Sequence, residues 1–204
     1  CPFNCGFCDR GMWGRLFRHR SAHNILSEIE LTYLESEKIN KNGHLQGVSW
    51  YRFIDDNLMV NRPFFLELLD GLAKLKSIKW TCLARADDCL DVKLLKLMKA
   101  TGCQEVFLGC ETGSNWLLGQ MNKKTSVATN IKAINNLREA GIKSCAYMMF
   151  GFPGENETTM EETMDFLDTA KPDKSRISTF LTIPGSDVYL NPAQYNISIN
   201  FDPD

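Results

Sequence analysis

The residues best equipped for chemistry crowd the first eight positions, Cys1-Pro2-Phe3-Asn4-Cys5-Gly6-Phe7-Cys8. Three cysteines at a CxxxCxxC spacing share one short loop, and Gly6 allows a tight backbone turn between the last two. Iron–sulfur clusters are held by cysteine thiolates. A loop this compact can hold three irons of a [4Fe–4S] cube and leave one iron open to a substrate or cofactor. Zinc is a competing occupant, with His19 or His23 completing a Cys3His set. Structural zinc sites, however, usually draw on paired CxxC or CxxH clips, and no second clip follows. Three unrelated reduced thiols are the third reading.

The elements that must position such a loop follow in alternation. Strand-like runs rich in aromatic and β-branched residues occupy 48–54, 79–84, 105–111, 144–150 and 177–183. Helical periodicity lies between them. Ser21 or Asn24 can cap a helix through Ile25, Ile29, Leu31 and Leu34 to about Ser36, with a polar turn over 38–43. Pro63 starts the next helix, Asp91 caps a third that Gly102 stops, and a short helical turn surrounds Trp116 and Leu117. Val127, Ile131, Ile134 and Leu137 mark a helix closed by Gly141, and Thr158 with Glu161 forms the expected capping box of the last. Strand and helix in regular alternation require a parallel sheet with helices outside, and no linker composition divides the chain.

In βα barrels the site lies at the carboxyl ends of the strands. Asp55, Asp56, Arg85, Glu111 and the turn Gly151-Phe152-Pro153-Gly154 all fall there. Each has a plainer explanation: Asp55 and Asp56 as turn residues, Arg85 as a surface cation, Glu111 as a helix cap. Their joint placement at the same end of four successive strands favours a site.

Composition narrows the rest. The 204 residues are 44% hydrophobic, enough for one substantial core, and 23 basic residues nearly balance 25 acidic ones. Bulk charge therefore does not point to nucleic acid, and the basic, aromatic run over 10–23 is too short to change that. No apolar run approaches the roughly 18 residues of a membrane span. The other five cysteines, Cys82, Cys89, Cys103, Cys110 and Cys145, are scattered without a CxxC pair. Free thiols packed as small hydrophobes suit a reducing cytoplasm better than a secreted, disulfide-stapled chain.

The cysteine loop, with Phe7 just before its third cysteine, resembles the signature of radical S-adenosylmethionine (SAM) enzymes. The resemblance continues in order. Arg20-Ser21 with Glu28-Ile29, and Gly109-Cys110-Glu111-Thr112-Gly113-Ser114 with Thr112 in place of serine, are similar to the cobalamin-associated branch. So are Met121-Asn122-Lys123-Lys124-Thr125, Ala140-Gly141-Ile142, Gly151-Phe152-Pro153-Gly154-Glu155 and Pro184-Gly185-Ser186, the last more often Pro-Gly-Thr. These stretches cover most of residues 1–190.

The resemblance implies an α/β fold, a partial parallel (β/α)6-type barrel of the TIM-like radical SAM core. Its first strand is expected to be truncated, since the strand before the loop is absent. Residues 1–190 would form the core and 191–204 the start of a C-terminal segment. It implies a [4Fe–4S] cluster on Cys1, Cys5 and Cys8, and SAM chelating the open iron through its amino and carboxylate groups. Asp55 and Asp56 would meet the SAM amino group, Glu111 the ribose hydroxyls, and Arg85 or Lys123 the SAM carboxylate. Backbone near Phe7 and from Met149 to Gly151 would face the adenine.

The implied reaction is reductive cleavage of SAM to a 5′-deoxyadenosyl radical. Methyl transfer is the first expectation for its use, with rearrangement or ring formation behind it. Methylthiolation is disfavoured because no second cluster set is visible. A small-molecule or peptide substrate and an electron donor such as flavodoxin or ferredoxin would be the partners. Cobalamin would enter through a domain not in these residues, which contain no Asp-x-His-x-x-Gly motif. A non-catalytic iron–sulfur or zinc module, or an inactive truncated relative, is the alternative. No general base can be named.

Overall fold

The computed structural model describes residues 1–9, 14, 16–41, 49–75 and 78–199. Val48, the start of the first expected strand, falls outside the described residues, as do Arg10, Met12, Trp13 and Arg15 of the basic run and the tail from 200. Five strands pair in parallel in chain order: β1 Trp50–Arg52, β2 Lys79–Ala84, β3 Cys103–Glu111, β4 Lys143–Phe150 and β5 Lys174–Thr179. The sheet curls into a half-barrel, as the expected partial barrel requires.

Local chemistry explains most helix boundaries. In α1 (Ala22–Lys41) the Ser21 hydroxyl accepts from the Asn24 amide, and the helix continues past Ser36 to Lys41, taking in the first part of the expected turn, whose residues 42 and 43 lie outside the described residues. Asn61 caps α2 (Arg62–Lys74), with Pro63 in the first turn. Asp91 accepts from two amides to start α3 (Val92–Ala100). A short helix, α4 (Asn115–Gln120), and α5 (Val127–Glu139), capped by Ser126, follow β3. The start of α6 (Glu157–Ala170) corrects the expectation. Asn156, not Thr158, is the cap, and Thr159, not Glu161, closes the capping box. A short α7 (Asp187–Leu190) completes the set.

Strand alternation builds two faces. Trp80, Cys82, Val106, Leu108, Ala146 and Met148 point to the helices and join Phe65, Leu68, Leu95 and Leu137 in the main core. Fully burying such a side chain contributes roughly 1.5–3 kcal/mol. The alternate residues, Phe107 and Tyr147 among them, face the concave side. β5 is displaced from its expected place. Its ladder begins at Lys174, opposite Cys145, where Asp173 accepts from the Ser144 amide and hydroxyl. The apolar residues Leu181 and Ile183, which drew the expectation toward 183, lie beyond it and exposed.

A smaller cluster of Leu117, Met121, Phe152 and Val188 lies apart from the main core, with Phe7, Met149 and Tyr195 packed against it. It carries the cysteine loop. No helix among the described residues is long and apolar enough to cross a membrane.

Candidate active site

The cysteine loop is fastened over the carboxyl ends of the strands by its backbone. The Gly6 amide donates to the Met121 carbonyl at 2.8 Å, and the Gly6 carbonyl accepts from the Val188 amide at 3.1 Å. Asn122 Nδ2 donates to the Asn4 carbonyl at 2.6 Å. The turn itself is closed by the Cys8 amide and the Cys5 carbonyl at 3.2 Å. Gly6 is needed less for turning than for closeness. Its φ is not positive, but a Cβ there would lie 2.7 Å from the Tyr195 hydroxyl.

Cys5 points inward and is buried, while Cys1 and Cys8 are exposed. Cys1 shares an open cleft of about 360 Å³ with Asp55 and Asp56, which lie exposed just beyond β1. Among the described residues no three ligating side chains are already convergent. His19, the candidate fourth zinc ligand, is stacked on Phe64 at a centroid distance of 4.1 Å.

Two buried cations face the loop. Arg85, at the end of β2, donates from Nη1 to Cys5 Sγ at 3.8 Å and stacks on Phe3, with Cζ 3.8 Å from the ring centroid. Its Nη2 holds the Lys123 carbonyl at 2.5 Å and Asp87 at 3.0 Å, and its buried Nε has no partner among the described residues. It is not a surface cation. Lys123 Nζ reaches Glu111 Oε1 at 2.5 Å and lies 5.5 Å from the Phe7 ring centroid. Burial alone would lower the Lys123 pKa, but the fields of Glu111 and Cys5 outweigh it and hold the ammonium above its ordinary range.

Glu111 is aimed by its backbone. It adopts φ +64, next to a register shift between Gly109 and Glu111 in the β3–β4 ladder. A bulge re-aims a side chain in this way, and positive φ in a non-glycine residue is strain kept for a use. A Cβ at Gly109 would meet Glu111 Oε1 at 2.6 Å and Lys123 Nζ at 2.8 Å, so the glycine makes room for the pair. Met149 is half-buried beside Phe7 in the smaller cluster. Gly151 turns at φ +83, and Glu155 Oε2 accepts from its amide at 2.5 Å.

The structure thus gathers Cys5, Phe7, Arg85, Glu111 and Lys123 closely, with Met149 on their flank. Asp55 and Asp56 stand on the Cys1 side and Gly151 on an outer turn. The sequence assigns no role to Phe3, Asn122 or Tyr195, because their roles are packing against and bonding to the site's residues. The donor set suits a thiolate-held cluster: three thiols share one fastened loop, and Cys5 among them faces two buried cations, one with an N–H unpaired among the described residues. The remaining cysteines do not compete. Burial pushes the Cys82, Cys89, Cys103 and Cys110 thiols well up, which keeps them protonated.

Residues 1–167 match the family model of the radical SAM superfamily. The chain belongs to this superfamily. Radical SAM enzymes use a [4Fe–4S] cluster and SAM. An anaerobic magnesium-protoporphyrin IX monomethyl ester cyclase of Rubrivivax gelatinosus is 29% identical over 191 residues, covering 93% of this chain and 33% of that protein. A bacteriochlorophyllide d C-12(1)-methyltransferase of Chlorobaculum tepidum is 27% identical over 188 residues, covering 91% of this chain and 39% of its own length. The chain therefore spans about a third of these relatives. Among solved structures, the radical SAM methyltransferase TsrM from Kitasatospora setae, with cobalamin and a [4Fe–4S] cluster bound, superposes with a TM-score of 0.81. Its identity is 16%, over 95% of this chain and 35% of TsrM, a likeness of fold.

Proposed function

We propose that this radical SAM core modifies a small-molecule or peptide substrate, with methyl transfer to an unactivated carbon as the first reaction. Radical rearrangement or ring formation is the next candidate. The observation that carries the reading is the cysteine loop fastened over the strand ends with Arg85 and Lys123 buried against Cys5. When bound, the cluster and SAM supply reductive cleavage of the sulfonium bond and a 5′-deoxyadenosyl radical, chemistry that belongs to the cofactor.

The chain's own residues hold and orient. Cys1, Cys5 and Cys8 would ligate three irons. Arg85, with one N–H unpaired among the described residues, supplies positive charge for the SAM carboxylate, while Lys123 is committed to Glu111. Lys123 fixes one Glu111 oxygen and leaves the other to accept from the ribose hydroxyls. Asp55 and Asp56 accept from the amino group. Phe7 and Met149 form the apolar wall for the adenine, which meets backbone from Met149 to Gly151.

Cobalamin enters this reading through the likeness to TsrM and would be held by residues outside this chain. A flavodoxin or ferredoxin is the proposed electron donor, and a reducing cytoplasm the proposed setting. The test is anaerobic reconstitution with iron and sulfide, followed by electron paramagnetic resonance of the reduced chain. The reading expects a [4Fe–4S] signal that changes shape when SAM is added. Stoichiometric zinc without iron, or a cluster indifferent to SAM, contradicts it.

A further inference from the structure

The concave face carries a charge imbalance that the cluster and SAM do not use. Tyr51 and Phe53 pack toward the helices, so Arg52 between them faces the barrel interior. Arg176 pairs in register with Tyr147 and shares its face. Both guanidiniums lie against one buried ring, Phe107: Arg52 Cζ is 4.5 Å from its centroid and Arg176 Cζ 5.9 Å. Arg52 also donates to the Tyr147 hydroxyl at 3.1 Å, and the Tyr147 ring lies 5.6 Å from Phe107.

Arg52 and Arg176 are exposed, and among the described residues neither forms an ion pair. Their neighbour on this face, Lys174, lies 2.9 Å from Glu105. The Cys145 thiol, raised first by burial, also feels Glu105, Arg176, Lys174 and Arg52, which places these charges around one space. Glu111 pairs with Met148, and Met148 with Ile177, so Arg176 sits one residue below the level of Glu111 and two strands across from it. That is about 10 Å at the spacing of strands.

We infer that Arg52 and Arg176 form the anion-binding floor of the substrate site, over the Phe107 and Tyr147 rings. The substrate class is an organic anion whose carboxylate or phosphate group is held by the two guanidiniums. This deepens the proposed function and rests on its assignment of the strand ends as the reacting side. Cation–π contact holds the guanidinium planes, one Arg52 N–H is spent on Tyr147, and the remaining N–H groups can meet the oxygens of either anion. The apolar remainder of the substrate would lie on the rings and rise toward Glu111 and the cysteine loop.

The test is calorimetric titration of the cluster-loaded chain, kept anaerobic at fixed ionic strength, with glutarate and with inorganic phosphate. Saturable binding of at least one probe is expected. Arg52→Gln and Arg176→Gln should each weaken it about tenfold or more, as loss of a charge-assisted bond does. The double variant should abolish it, while Lys132→Gln, an exposed cation on α5, should leave it unchanged. Arg52→Lys and Arg176→Lys, which keep charge but lose the fork, serve where a glutamine variant does not fold, and both should weaken binding.

Glutarate alone identifies a carboxylate, phosphate alone a phosphate ester, and both together the shared oxyanion chemistry. Binding of neither probe, or binding that survives in the double variant, overturns the inference. SAM cleavage is measured separately. Anion binding without cleavage would refute the radical reading and spare the floor, and cleavage without anion binding would do the reverse.

Discussion

Lys123 Nζ lies 2.5 Å from Glu111 Oε1 beneath the cysteine loop, with the two side chains only 9% and 11% exposed. A buried pair of this kind is weak evidence for net stability, yet removing one partner strands the other charge out of water. Lys123→Ala should therefore cost roughly 3–5 kcal/mol in denaturant unfolding, and Glu111→Ala/Lys123→Ala clearly less than the sum of the single variants. Additive losses would show that the two groups are not coupled.

The same pair sets a functional expectation. If the second Glu111 oxygen receives the ribose hydroxyls, Glu111→Ala should raise the SAM dissociation constant about tenfold, the loss of about one good hydrogen-bonding group. Equilibrium dialysis of the reconstituted variant, with its fold checked by circular dichroism, measures this. Unchanged affinity would remove Glu111 from the SAM site.

Gly6 and Tyr195 form the second tight contact. A Cβ at Gly6 would sit 2.7 Å from the Tyr195 hydroxyl, which donates to Asp187 Oδ2 at 2.6 Å. Gly6→Ala should cost about 1–3 kcal/mol, as overpacking does. Tyr195→Phe, which removes the clashing oxygen, should recover part of that loss. Failure of the second change to help would place the strain in the loop backbone.

Tyr195 also gives a pH signature. Burial first, and then its bond to Asp187, push its phenol up to about 12 from an ordinary value of 10.0. A group raised on folding stabilises fully below its unfolded value and loses that contribution as pH rises through the folded one. Stability should thus fall between about pH 10 and 12 in wild type, and less steeply in Tyr195→Phe. Lys123 is raised as well and adds to the loss above the ordinary lysine range. Comparing Tyr195→Phe with Lys123→Met in alkaline unfolding curves separates the two.

Much of this architecture is legible in the sequence, and the exceptions have physical causes. β2 was placed at its observed bounds, and β3 and β4 nearly so, because buried strands must be rich in apolar and β-branched residues. β5 slipped because hydrophobicity was read as pairing. Its register is set by β4 and by Asp173 on Ser144, while Ile177 within it is 64% exposed. In α6, two plausible capping residues lay close together, and only backbone geometry at Asn156 decides between them. Cys5, Arg85 and Glu111 could be marked from spacing and strand ends. That Lys123 engages Glu111 while Arg85 engages Asp87 and Cys5 required the fold. Arg52 carried a signal that went unused: it alternates with Tyr51 and Phe53, so its strand face was already implied.

The central claim is that the fastened cysteine loop supports SAM cleavage at the strand ends. The direct measurement is 5′-deoxyadenosine released by the reconstituted, reduced chain supplied with SAM, compared with Cys1→Ala, Cys5→Ala and Cys8→Ala. The account predicts release that each cysteine replacement abolishes. Release that persists without Cys5, or a SAM-responsive cluster that yields none, would contradict it.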